Sequence, residues 1–103
     1  MKKSEEKQQD VLKETRRIAV DTLAAYPVKI YLFGSWARGT PSESSDIDLA
    51  IDSETPLPAG ILSTLRERLE ESTIPWRVEV VDLRNAASSF RERVLHEGIL
   101  WKD

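Results

Sequence analysis

The sequence contains no cysteine, so a disulfide framework, a thiolate nucleophile and a zinc–sulfur site are all excluded. Its single histidine, His96, excludes a multi-histidine metal centre and leaves hard oxygen ligands as the metal chemistry on offer. No run of about 18 apolar residues is present, and the opening stretch MKKSEEKQQD is charged without an apolar signal core. Neither membrane insertion nor export is therefore expected, and a cytoplasmic location follows. A surplus of positive charge is also missing: the net charge is −3, and Lys and Arg are spread along the chain rather than gathered in a stripe. Direct binding of polymer nucleic acid, which rests on such stripes, is not expected.

What remains is an ordinary globular composition, 40% hydrophobic and 32% charged, over 103 residues. Chains of about this length form one core, so residues 1–103 are read as a single domain. From residue 4 to about 25, Val11, Leu12, Thr15, Ile18, Ala19, Thr22 and Leu23 recur at spacings of three and four, which predicts an amphipathic helix stopped by Pro27. Residues 28–33 are β-branched and aromatic, as a buried strand is, and end at Gly34-Ser35. Residues 34–45 are rich in Gly, Ser and Thr and predict a loop. Asp46, Asp48, Ala50 and Asp52 then alternate with Ile47, Leu49 and Ile51, so the next strand has an acidic face and an apolar face. A helix follows Pro58 to about Ser72, carrying Ile61, Leu62, Leu65 and Leu69, and a strand spans 77–83. A last helix is expected from Ser89, where Ser89-Phe90-Arg91-Glu92 has capping-box spacing, to just before Gly98, with Ile99-Leu100-Trp101 as a short edge strand. The element order predicts an α+β fold, a small mixed sheet with helices packed on one face.

The chemistry concentrates where the first strand ends. Gly34-Ser35 is followed after ten residues by Asp46-Ile47-Asp48, whose two carboxylates project from one strand face. Alternate residues on a face stand about 6–7 Å apart, close enough to serve one pair of cations. Carboxylates so placed repel each other, and Mg²⁺, which binds one or two of them together with water and phosphate, offsets that repulsion. Gly34 permits a close approach of backbone to phosphate, Ser35 adds a hydroxyl and an N–H, and Arg38 offers a cationic fork. A third carboxylate is needed to poise an attacking hydroxyl. The strand at 77–83 offers Glu79 and Asp82 on opposite faces, and alternation alone does not choose between them.

Gly34-Ser35, the ten-residue gap and Asp46-Ile47-Asp48 together resemble the signature of the DNA polymerase β-like nucleotidyltransferase superfamily. The segments Phe33-Gly34-Ser35-Trp36-Ala37-Arg38-Gly39 and Ser45-Asp46-Ile47-Asp48-Leu49-Ala50-Ile51 are similar to its short MNT branch, and the similarity covers nearly the whole chain. The resemblance implies a minimal, polymerase β palm-like nucleotidyltransferase fold. It further implies Mg²⁺-dependent transfer, with two ions, of a nucleoside monophosphate from ATP or another nucleoside triphosphate. Asp46, Asp48 and Glu79 would be the catalytic and metal-binding residues, and Gly34, Ser35, Arg38 and Ser45 would lie on the nucleotide. Asp is the usual residue at the position of Glu79, so this chain departs from the pattern there. Members of the branch are commonly antitoxins paired with a helical HEPN ribonuclease toxin, and some silence it by adding AMP to a tyrosine hydroxyl. A HEPN toxin is thus the implied partner and acceptor. An MNT-fold binding module that neutralises such a toxin by complex formation, with weak or no catalysis, is the alternative.

Other conspicuous residues have plainer readings. Asp52 continues the alternation beyond the motif and is expected to be a strand-end charge. Trp36, Trp76 and Trp101 are expected to pack, and His96 to sit in a final helical turn where a cation is mildly favoured. Once the sheet and its helices are accounted for, no segment remains for holding an acceptor, which is expected to bring its own surface.

Overall fold

The computed structural model describes residues 2–42 and 44–103, with side chains from residue 6 onward. In chain order the elements are α1 (Lys2–Thr22), β1 (Lys29–Phe33), β2 (Ile47–Asp52), α2 (Ile61–Glu70), β3 (Val78–Asp82), a 3-10 turn (Leu83–Asn85), α3 (Ser88–Glu97) and β4 (Ile99–Lys102). Each expected element is present, including the short edge strand. α1 stops at Thr22 rather than near residue 25, because the chain approaching Pro27 tightens into turns, with Ala24 N donating to Asp21 O and Tyr26 N to Leu23 O.

The sheet has the order β3-β2-β1-β4. β1 pairs antiparallel with β2 and β4, whereas β2 and β3 run parallel with α2 as their crossover, so the sheet is mixed as expected. Ile30 and Leu32 of β1, Leu49 and Ile51 of β2 and Val80 of β3 face α1 and α2, packing on Ile18, Ala19, Leu65 and Leu69. Leu49 and Ile51 are fully buried, and such side chains each stabilise a fold by about 1.5–3 kcal/mol.

The helices do not all share one face, which corrects the layering read from the sequence. Tyr31 and Ala50, on the opposite side of the sheet, form a second core with Leu83 and with Val94 of α3, flanked by Phe33, Val81 and Phe90. The alternation marks that side as acidic because of Asp48 and Asp52, but between them it carries Ala50, and α3 packs there. Asp52 is accommodated by Arg91 of α3, which donates to both carboxylate oxygens at 3.0 and 3.1 Å. The start of α3 also differs: Ala87 is the N-cap with no side-chain cap, and Ser89 lies inside the first turn, so the capping box does not form. The preceding 3-10 turn sets this entry, its own start being capped by Asp82, which accepts from Arg84 N at 3.0 Å.

Candidate active site

Strand register brings the acidic residues together. Phe33 is the partner of Asp48, and Asp48 is in turn the partner of Glu79, so the last residue of β1, Asp48 and Glu79 lie side by side on the α3 face of the sheet. α3 covers the middle of that face and reaches Phe33 through Phe90, while Asp48 and Glu79 stay partly exposed. Asp46 stands just before β2. Its charge and that of Glu79 both act on Asp48, whose carboxyl is held above the ordinary Asp value, first by partial burial and then by these two anions. The Arg38 guanidinium pulls in the opposite direction. Such mutual repulsion is what a bound cation relieves.

The structure separates the two candidates for the third carboxylate. Asp82 is in register with Ile51, a core residue, and its oxygens are taken by Arg84 N and by Asn85 Nδ2 at 3.1 Å. Glu79 is the one beside Asp48. Its carboxylate is paired with Arg77 at 3.1 Å, an ion pair exposed enough to open at small cost.

Gly34 turns the chain out of β1 with φ +77°. A Cβ at this position would collide with Asp48 Oδ2 and stand 3.2 Å from Asp48 Cγ, so the carboxylate occupies the space a side chain would fill. The residues after it form a tight turn, Ala37 N and Arg38 N both donating to Gly34 O at 3.1 and 3.2 Å. Ser35 is half-buried at the start of that turn and Arg38 is exposed. Ser45 is placed differently from the others: its hydroxyl lies 2.9 Å from Ser42 N, and its carbonyl accepts from Trp36 Nε1 at 3.2 Å. Ser45 thus ties the loop to the core. Trp36 is buried and packs edge-on against Trp76 at 5.1 Å, and Trp101 is in the same core, in line with their packing role.

Among the described residues no three acidic or histidine side chains close on a single point. The donor set still fits Mg²⁺, which is satisfied by one or two carboxylates and takes its other oxygens from water and phosphate. Two clefts flank the carboxylates. A groove of about 370 Å³ lies between the outer edge of β3 and α2, lined by Arg66, Leu69, Trp76 and Arg77, with Glu79 as its one residue of the carboxylate trio. On the other side a cleft of about 160 Å³ lies between α3 and the Gly34 turn, lined by Phe33, Gly34, Arg38, Phe90 and Arg93. The α3 residues there have no signal in the sequence, because their place depends on which face α3 packs against. Arg77, by contrast, was legible as a strand neighbour of Glu79 at a spacing of two.

The model of the family described as polymerase beta, nucleotidyltransferase matches residues 6–102. The chain belongs to this nucleotidyltransferase family. It is 41% identical over 63 residues, 61% of its own length and 55% of the relative's, to the Haemophilus influenzae protein named Probable protein adenylyltransferase MntA. Among solved structures, a toxin–antitoxin complex with AMP-PNP matches with a TM-score of 0.67 at 29% identity, over 84% of this chain and 71% of the other. A tri-AMPylated Shewanella oneidensis HEPN toxin in complex with MNT antitoxin matches with a TM-score of 0.63 at 27% identity, over 91% and 71%. The chain spans about half the length of the curated relatives it matches, 55% and 49%. Among the described residues no helix is long and apolar enough to cross a membrane.

Proposed function

We propose that this nucleotidyltransferase-family chain transfers AMP from ATP, with Mg²⁺, to a hydroxyl of a partner protein, and that the partner is a HEPN toxin which the modification silences. The observation that carries the reading is the register Phe33, Asp48, Glu79, which sets two carboxylates beside the Gly34 turn with Asp46 close by. The relatives support the choice of substrate and partner, since they include an AMP-PNP complex and an AMPylated HEPN toxin bound to an MNT antitoxin. A cytoplasmic setting, where ATP is available, belongs to the same reading.

Asp46, Asp48 and Glu79 hold the ions, and when bound Mg²⁺ supplies neutralisation of phosphate charge and acidification of the acceptor hydroxyl. The triphosphate lies along the Gly34 turn, and Ser35 and Arg38 contact its oxygens. The acceptor hydroxyl arrives over the free edge of β3, where Glu79 lines the groove. Its oxygen bonds to the α-phosphorus as the bond from that phosphorus to the bridging oxygen breaks. Pyrophosphate leaves with that electron pair, and the hydroxyl proton passes to the Glu79 carboxylate and on to solvent. Ser45 acts through the loop it holds.

The test is label transfer from ATP to protein in a host lysate, comparing α-³²P with γ-³²P label and wild type with Asp46→Asn. Label from the α position alone, lost in the variant, is expected and marks the acceptor by its band. Label from the γ position, or undiminished label in the variant, would reject the assignment. The ion pair between Arg77 and Glu79, together with Glu in place of the usual Asp, favours a second reading, a non-catalytic binding module. No transfer from any triphosphate, with toxin neutralisation retained in the Asp46→Asn, Asp48→Asn double variant, would select it.

A further inference from the structure

Arginine side chains in this fold are almost all engaged. Those of Arg66, Arg77, Arg84 and Arg91 bind protein oxygens around the sheet, and Arg16, Arg17 and Arg68 do so along α1 and α2. Of the arginines among the described residues, only Arg38 and Arg93 make no hydrogen bond or ion pair with the protein, and these two line the same cleft beside Gly34. Arg93 is steadied there without spending its donors. Its guanidinium carbon lies 5.9 Å from the Phe90 ring centroid, and Phe90 is edge-on to Phe33 at 5.6 Å, so the ring links the side chain to the end of β1. Glu97 also lines the cleft, which leaves two guanidinium groups against one carboxylate. Planar guanidinium forks with free N–H groups are suited to phosphate oxygens.

We propose that Arg93 of α3 is a further phosphate-binding residue of the donor site, reaching the β- and γ-phosphates of the triphosphate from the side of the cleft opposite the Gly34 turn. The assignment rests on the nucleotidyl-transfer reading, and it follows from the placement of the two clefts. In-line displacement requires the leaving group to lie opposite the acceptor across the α-phosphate. The proposed acceptor groove is at the β3 edge with Glu79 in its lining, and the Arg38–Arg93 cleft is beside Gly34 at the end of β1. At about 160 Å³ the cleft has the volume of roughly five liquid waters, which accommodates a diphosphate. The packing of α3 onto the acidic face is thus what completes the donor site, and Arg93 is the group it contributes.

The experiment is calorimetric titration of the purified chain with inorganic tripolyphosphate and, separately, with AMP, for wild type, Arg93→Gln, Arg93→Lys and the charge control Arg84→Gln. Arg93→Gln is expected to weaken tripolyphosphate about tenfold, the scale of one lost charge-assisted contact, and to leave AMP unchanged. Arg93→Lys restores part of the loss, and Arg84→Gln matches wild type. The proposal is overturned if wild type does not bind tripolyphosphate, if Arg93→Gln binds it as wild type does, or if Arg84→Gln weakens it equally. Tripolyphosphate binding that depends on Arg93 in a chain without transfer activity would sink the transferase reading and leave the anion site standing. Transfer with an indifferent Arg93→Gln would do the reverse.

Discussion

Gly34→Ala separates the architecture of the site from the stability of the fold. Gly34 has φ +77° and Gly60, at the start of α2, has φ +85°. An L side chain at either position bears the left-handed backbone penalty of about 1–2 kcal/mol. At about 4–8 °C per kcal/mol for a domain of this size, each Ala variant should lose roughly 5–15 °C in Tm. The surroundings of the two positions differ. A Cβ at Gly60 meets nothing within 4 Å, whereas one at Gly34 lands on Asp48 Oδ2. That oxygen is the far end of a side chain that can rotate, so the clash adds little to the unfolding cost, and the two variants should agree in stability to within about 1 kcal/mol. Their chemistry should not agree. Rotating the Asp48 carboxylate away displaces the proposed metal ligand, and misplacement on the order of 1 Å costs about a hundredfold in rate. The assays are thermal unfolding, α-label transfer at a temperature where both variants are folded, and the rise in Tm on adding Mg²⁺. Gly34→Ala should lose both transfer and the Mg²⁺ response, while Gly60→Ala keeps both. Equal activity in the two variants would refute the claim that Gly34 is present to make room for Asp48.

Asp48→Asn should stabilise the metal-free protein at pH 7. The carboxyl of Asp48 is raised in the folded state, so the stability it contributes is fully present only below the ordinary value of about 3.9 and is lost as pH rises through the raised value. Tm measured against pH should show the variant above wild type at neutral pH and the gap closing in acid; a variant less stable at pH 7 would contradict this. Asp52→Asn should behave in the opposite way, because Asp52 is 14% exposed and paired with Arg91. Stability should fall by about 0.5–1.5 kcal/mol with transfer unchanged, and loss of transfer at a temperature where the variant is folded would place Asp52 in the site after all.

Much of this protein was legible without coordinates. Periodicity identified α1, β2 and α2, while β-branched composition and turn or capping signals identified β1, β3, α3 and β4, and the spacing from Gly34-Ser35 to Asp46-Ile47-Asp48 put the carboxylates at a strand end because alternation is a local property of the backbone. Glycine at position 34 and the absence of cysteine and clustered histidine limited the chemistry in the same local way. The rest was set by contacts between segments distant in sequence. Glu79 was separated from Asp82 by the parallel register of β3 on β2, which places one beside Asp48 and the other against the 3-10 turn. α3 went to the acidic face because Tyr31 and Ala50 leave an apolar surface between Asp48 and Asp52, and this joined Phe90 and Arg93 to the Gly34 cleft. The capping box at Ser89 gave way because the turn held by Asp82 decides where α3 begins. Local pattern determines which residues can carry the chemistry; pairing register and the choice of sheet face, which depend on the whole core at once, decide which of them meet.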